Sequence, residues 1–142
     1  MANIEIALKV AIESHAGQTD KGGQPYILHP LRLMHQCTSE EEKIVAVLHD
    51  VVEDSQMTIS ALEALGFTDT ILAAIAALTK QPSEDYSAFI QRVASNPLAR
   101  KIKIIDIQDN LDITRLPKVS DKDLARIKKY HQALHTLQAV NT

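Results

Sequence analysis

The sequence predicts a single all-α domain of about seven or eight helices. Apolar residues recur at spacings of three and four along most of the 142 residues, and residues that start or stop helices separate the periodic segments. The run Ile102–Ile107 is rich in β-branched residues, but its polar positions recur at helical rather than alternating spacing. Helices packed on helices are therefore the expected architecture.

Each predicted helix has a start or stop signal in the sequence. The predicted helices cover residues 4–15, 31–37, 39–54, 58–66, 71–78, 86–94, 98–116 and 120–140, with an irregular loop over residues 17–29. Gly17 and Pro117 stop helices, and Pro30 fits the first turn of the second helix. Capping boxes, in which a serine precedes an acidic residue by three positions, open the third and last helices at Ser39 and Ser120.

The composition of the chain argues against several classes of protein. Hydrophobic residues make up 45% of the chain and charged residues 23%, which predicts a folded domain rather than disorder. A single cysteine, Cys37, excludes an internal disulfide and suits a reducing cytoplasm. No apolar run reaches membrane-spanning length, and a net charge of −3 argues against a broad nucleic-acid surface. We expect a cytoplasmic protein without membrane or nucleic-acid partners, whose Ala/Leu/Ile-rich helices are compatible with a homodimer.

The most informative segment joins a buried helix to four ionisable groups. The apolar run Val45–Leu48 leads directly into His49, Asp50, Glu53 and Asp54, which the spacing places on one face of the predicted helix. An unpaired buried charge costs on the order of several kcal/mol, so such groups persist when they are paired or bound to a metal. The segment therefore predicts either part of a metal site or a buried ion-pair network.

Other segments hold polar residues that are candidates for the remaining ligands. They are His29 beside a helix start, Lys103, Asp106 and Asn110 on one face of helix 98–116, and Arg126 with Tyr130 on the last helix. Each also has an ordinary structural explanation: a surface or capping histidine, a salt bridge between Asp106 and Lys103, and a solvated helix face.

Four separated stretches together resemble a known family. His29, His49-Asp50 and Asp106 match the H…HD…D signature of the HD-domain metal-dependent phosphohydrolases. The pattern GQ-x-x-K-x-G-x-PYI-x-HP over residues 17–30, the LHDVVED stretch and the helix of Asp106 and Asn110 resemble the hydrolase domain of the RelA/SpoT family. The length resembles the small standalone alarmone hydrolases. The resemblance covers about residues 5–135 and implies one HD-type phosphohydrolase domain over residues 1–142, with no synthetase domain following it.

The resemblance also implies roles for individual residues. It makes His29, His49, Asp50 and Asp106 the ligands of one divalent ion, usually manganese in this family. Glu53 and Asp54 activate the attacking water or relay its proton. The residues that the substrate is expected to contact are Lys21, Asn110, Arg126 and Tyr130, with Lys103 as a further cation that offsets phosphate charge. The implied reaction removes pyrophosphate from the ribose 3′ position of ppGpp or pppGpp.

Two positions depart from the family pattern. Asp20 stands where an arginine often precedes the loop lysine, and Ile113 replaces a common threonine. Loss of a cation at position 20 favours a second hypothesis, an HD phosphohydrolase that acts on another small phosphorylated compound such as a nucleoside phosphate or NADPH. A third hypothesis is a catalytically silent module that binds metal or nucleotide, although binding alone does not require Glu53 and Asp54.

Overall fold

The predicted all-α architecture is confirmed. The computed structural model describes residues 2–140, so the first and last positions of the predicted domain, 1 and 141–142, lie outside the described residues. Within residues 2–140 it contains eight helices of six or more residues, one four-residue helical segment and one 3₁₀ turn. The elements are α1 (Ile4–Ser14), α2 (Leu28–His35), α3 (Glu40–Leu48), α4 (Val51–Asp54), α5 (Ile59–Ala64), α6 (Asp69–Leu78), α7 (Tyr86–Ala94), α8 (Pro97–Asn110), the 3₁₀ turn η1 (Ile113–Arg115) and α9 (Asp121–Gln138).

Helix α3 forms the centre of the core. Val45–Leu48 are fully buried, and α3 packs against α1, α2, α6 and α8. Each fully buried aliphatic side chain of this kind stabilises the fold by roughly 1.5–3 kcal/mol. The capping box predicted at Ser39 is present, since Ser39 Oγ accepts from the Glu42 N–H and the Glu42 carboxylate accepts from the Ser39 N–H. A buried, capped helix thus holds its carboxyl end, where the polar segment begins, in a fixed place.

None of the helices in the part of the chain that is described combines the length and apolarity needed to cross a bilayer.

The predicted continuous helix through residue 54 is wrong. Helix α3 ends at Leu48, and α4 starts at Val51 after Asp50 takes a φ of −110° and a ψ of 1°. The break has a local cause: the His49 side chain donates from Nδ1 to the Ala46 carbonyl oxygen at 2.7 Å. In an unbroken helix that oxygen would accept the backbone N–H of Asp50. The His49 side chain therefore takes the place of a helical hydrogen bond.

Two other helix boundaries differ from the predicted ones by three residues or more. Helix α2 starts at Leu28, three residues earlier than expected, which places His29 in its first turn. Helix α8 ends at Asn110 and not near Leu116, because the Asp112 carboxylate accepts the Thr114 N–H at 3.1 Å and starts the separate 3₁₀ turn.

Candidate metal centre and phosphate cleft

Three helices bring the predicted ligand groups to one point in the interior. His29 comes from the first turn of α2, His49 and Asp50 from the junction of α3 and α4, and Asp106 from α8. One donor atom from each of His29, His49 and Asp50 lies within 4.8 Å of the others. Asp106 Oδ1 joins them, at 2.8 Å from His29 Nε2 and 3.5 Å from His49 Nε2. The four groups therefore surround a common point.

The orientation of His49 fits a divalent cation. Its Nδ1 faces the Ala46 carbonyl oxygen and must carry the proton, so Nε2 presents a lone pair. This buried Nε2 makes no hydrogen bond within residues 2–140, although Asp50 Oδ2 lies 3.0 Å away. Beside these carboxylate oxygens the lone pair is stable only with a positive charge on or next to Nε2, which a proton supplies in the metal-free protein and a divalent ion can replace. Two imidazoles and two carboxylates are a donor set that manganese, zinc and other first-row ions accept.

The close approach of these ionisable groups shifts their pKa values. Burial disfavours the charged form of His49, but Asp50 and Asp106 outweigh it and raise its pKa well above the ordinary value. Burial also opposes ionisation of Asp50, yet His49 lowers the pKa of that carboxyl to about 2. The carboxylates are thus ionised at neutral pH, and they stabilise a positive charge on or beside the imidazoles.

Lys103 and Asn110 both contact the Asp106 carboxylate. The Lys103 ammonium donates to Asp106 Oδ2 at 2.8 Å. Burial lowers the pKa of this lysine, but the Asp106 carboxylate outweighs that effect, so the pKa is raised. The Asn110 amide donates to Asp106 Oδ1 at 3.2 Å and also lines the cleft described below. Lys103 does not line that cleft, so its charge acts first on Asp106.

Glu53 and Asp54 lie on the exposed side of α4, next to the ligand cluster. Glu53 Oε1 accepts the Lys80 backbone N–H at 2.9 Å, so this side chain is anchored to the loop after α6. Desolvation, followed by repulsion from Asp50 and Glu53, raises the pKa of Asp54 to about 6. A carboxylate with a raised pKa at an open edge is suited to accept a proton from water.

A cleft of about 260 Å³ opens beside the cluster. The buried His29 lines it, together with residues that include Lys21, Arg32, Asn110, Arg115, Arg126 and Tyr130. The four cations of the lining outnumber its two carboxylates, Asp20 and Asp112, and this excess of positive charge attracts phosphate groups. Of the predicted substrate contacts, the structure therefore brings Lys21, Asn110, Arg126 and Tyr130 together, while Lys103 lies behind Asp106.

Asp20 has a structural task in the loop that carries Lys21. Its Oδ1 accepts the backbone N–H groups of Gly22 and Gln24, each at 2.9 Å, which closes a tight turn. A Cβ added at Gly22 would lie 2.8 Å from the Arg115 carbonyl oxygen, so the turn touches η1 across the cleft. The carboxylate at position 20 therefore shapes the cleft wall.

We expect the substitution Gly22→Ala to reduce the free energy of unfolding by about 1–3 kcal/mol, because the new methyl group forces the loop away from the Arg115 backbone. Urea denaturation measures this change. Gln24→Ala, an exposed position in the same turn, is the control and should change stability by less than about 0.5 kcal/mol. Equal stability of Gly22→Ala and the unmodified protein would contradict the contact.

The chain is similar to proteins that hydrolyse a guanine nucleotide. It is 30% identical over 120 residues to the guanosine-3′,5′-bis(diphosphate) 3′-pyrophosphohydrolase of Aquifex aeolicus, covering 76% of this chain and 17% of that protein. It is 32% identical over 108 residues to a probable enzyme of the same name from Synechocystis sp., covering 69% of this chain and 14% of that protein. No protein-family model matches the sequence.

A solved structure extends the similarity to the fold. It is the structure of a metazoan ortholog of SpoT that hydrolyses ppGpp. The TM-score is 0.81 at 22% identity, and the match covers 100% of this chain and 89% of that one. These similarities in sequence and fold support an HD-type, RelA/SpoT hydrolase-like domain. It spans about a sixth of the length of the two bacterial relatives named above.

Four site residues of this hydrolase-like domain are missing from the sequence-based prediction. The Tyr26 hydroxyl donates to Asp50 Oδ2, and Arg32, Asp109 and Arg115 form an ion-pair cluster against His29. Asp109 carried a usable signal, since it stands three residues after Asp106 on the same helix. The other three contact the site through packing between distant segments, which residue spacing does not reveal.

Proposed function

We propose that this domain is a metal-dependent phosphohydrolase that removes pyrophosphate from the ribose 3′ position of ppGpp or pppGpp. The observation that carries the proposal is the convergence of two imidazoles and two carboxylates next to a cleft bounded by four cations. The similarity to named 3′-pyrophosphohydrolases favours this substrate over a nucleoside phosphate or NADPH.

His29, His49, Asp50 and Asp106 would hold one divalent ion, which we propose to be Mn²⁺ bound by neutral imidazoles and carboxylates. When bound, such an ion polarises a phosphoryl oxygen and lowers the pKa of water. Lys103 and Asn110 keep the Asp106 carboxylate oriented for this purpose.

Hydrolysis adds water to the 3′-pyrophosphate ester and yields GDP or GTP plus pyrophosphate. Asp54 accepts a proton from the attacking water, and the anchored Glu53 relays protons beside it. Lys21 and Arg126 bind the phosphate groups as the cleft cations, and the Tyr130 ring borders the nucleotide. Asn110 lies between the cleft and Asp106, where it orients the substrate toward the reacting centre.

We also propose that the protein is cytoplasmic. The one cysteine, Cys37, is free and buried, which suits the reducing cytoplasm where nucleotides of this class are found. We propose that residues 1–142 form one HD-type domain and that two copies associate through their apolar helix surfaces.

The test is turnover of a substrate panel by purified protein loaded with Mn²⁺. We expect GDP and pyrophosphate in equal amounts from ppGpp, and loss of turnover after chelation that added Mn²⁺ restores. Turnover of NADPH or a nucleoside monophosphate without turnover of ppGpp would establish the second hypothesis instead. Metal binding without turnover of any compound would favour the silent binding module and reject the enzyme.

A further inference from the structure

Asp109 contacts a proposed metal ligand from the side opposite the metal centre. It is buried on α8, and its Oδ2 lies 2.6 Å from His29 Nδ1. His29 Nε2 faces Asp106 and the ligand cluster. The imidazole of His29 is therefore held between two carboxylates of the same helix, of which only Asp106 faces the cluster.

Two arginines fix the orientation of Asp109. Arg32 donates from Nε to Oδ1 at 2.9 Å and from Nη2 to Oδ2 at 3.0 Å, a bidentate pair. Arg115 lies 3.3 Å from Oδ2 and donates to the Asp109 backbone carbonyl oxygen at 2.6 Å. With both carboxylate oxygens engaged by planar guanidinium groups, the side chain has one favourable rotamer.

The Nδ1 atoms of the two proposed histidine ligands, His29 and His49, donate to different kinds of acceptor. His49 donates to a neutral backbone carbonyl oxygen of its own helix, whereas His29 donates to a charged carboxylate from a helix 80 residues away. A carboxylate on the far nitrogen of a metal-bound imidazole fixes its tautomer and increases its basicity. If the ion pair between Arg32 and Asp109 served stability alone, Asp109 would not need to accept the Nδ1 proton of His29, a proposed metal ligand.

We propose that Asp109, held by Arg32 and Arg115, is a positioning residue that fixes the His29 tautomer and strengthens metal binding by His29. The inference rests on the metal-dependent function proposed above. It assigns no contact between Asp109 and the substrate, so its effect acts through the metal ligand. Arg32 and Arg115 line the cleft and contact Asp109, which joins the cleft wall to the support of the metal ligand.

The test measures the Mn²⁺ dissociation constant by calorimetry in Asp109→Ala and Asp109→Asn. We expect Asp109→Ala to weaken binding by about 10- to 100-fold, because the Nδ1–H loses its acceptor. Asp109→Asn keeps a neutral acceptor and should lose about three- to tenfold, so that the amide rescues part of the affinity. Asp69→Asn is the matched control: Asp69 is exposed in the first turn of α6, and we expect unchanged Mn²⁺ affinity.

Circular dichroism separates folding from positioning. If Asp109→Ala is folded and binds Mn²⁺ as tightly as the unmodified protein, the inference is overturned while the metal-dependent function stands. If Asp109→Ala does not fold, Asp109→Asn decides alone, and unmodified affinity there overturns the inference. Absence of Mn²⁺ binding by the unmodified protein would overturn the inference together with the proposed function.

Discussion

Substitution His49→Asn is expected to lower hydrolysis by at least 10³-fold, equivalent to about 4 kcal/mol of transition-state stabilisation, and to weaken Mn²⁺ binding by more than about 100-fold. The Asn amide nitrogen can replace His49 Nδ1 as the donor to the Ala46 carbonyl oxygen, so the helix break remains supported. What the variant lacks is the Nε2 atom that faces Asp50 and Asp106.

The design separates loss of a ligand from loss of the fold. Activity is measured by pyrophosphate release and metal binding by calorimetry, with thermal unfolding followed in the same samples. His35→Asn, the same exchange at an exposed histidine at the end of α2, should leave all three measurements unchanged. If His49→Asn retained both Mn²⁺ affinity and turnover, His49 would not be a metal ligand, and the proposed mechanism would be wrong.

The sequence anticipated most helices because their signals are local. Ser39 and Ser120 cap helices as predicted, and α7 has the predicted bounds. His49 and Asp50 stood out because they follow an apolar run, where an ionisable group is costly, whereas His29 and Asp106 were assigned as ligands through the family resemblance. An ionisable residue next to an apolar run can be recognised from the sequence alone.

What the sequence could not reveal depends on the relative placement of distant helices. The contact between Arg32 and Asp109 exists because α2 packs on α8, and the two residues are 77 positions apart. The break at Asp50 depends on the rotamer of His49, which no spacing rule contains. The role of Asp20 was obscure for a similar reason, since a missing cation was visible in the sequence but the backbone groups bound by its carboxylate were not.

Substitution Asp54→Asn is expected to have opposite effects on activity and on stability. Loss of the proton acceptor should reduce turnover by about 10²- to 10⁴-fold while Mn²⁺ affinity changes by less than about threefold, because Asp54 is not among the proposed ligands. At the same time the metal-free variant should be more stable than the unmodified protein at pH 7.

The sign of the stability change follows from the pKa of Asp54, which burial and the neighbouring Asp50 and Glu53 raise to about 6 in the folded protein. The unfolded value is about 3.9, so the folded state binds the proton more tightly and stability falls as pH rises from about 4 to about 6. Above pH 6 the ionised Asp54 destabilises the fold, and after allowance for solvent screening at this exposed position the gain from Asp54→Asn is about 1 kcal/mol.

The gain should therefore be present at pH 7 and nearly absent near pH 3, where Asp54 is mostly protonated in both the folded and unfolded states. Urea denaturation of metal-free protein at the two pH values measures it, with Glu63→Gln on the exposed face of α5 as the control for loss of a negative charge. A carboxylate that lowers stability at neutral pH agrees with the catalytic role proposed for Asp54. Full activity together with unchanged stability in Asp54→Asn would show that this carboxylate neither accepts the proton nor is destabilised by its neighbours.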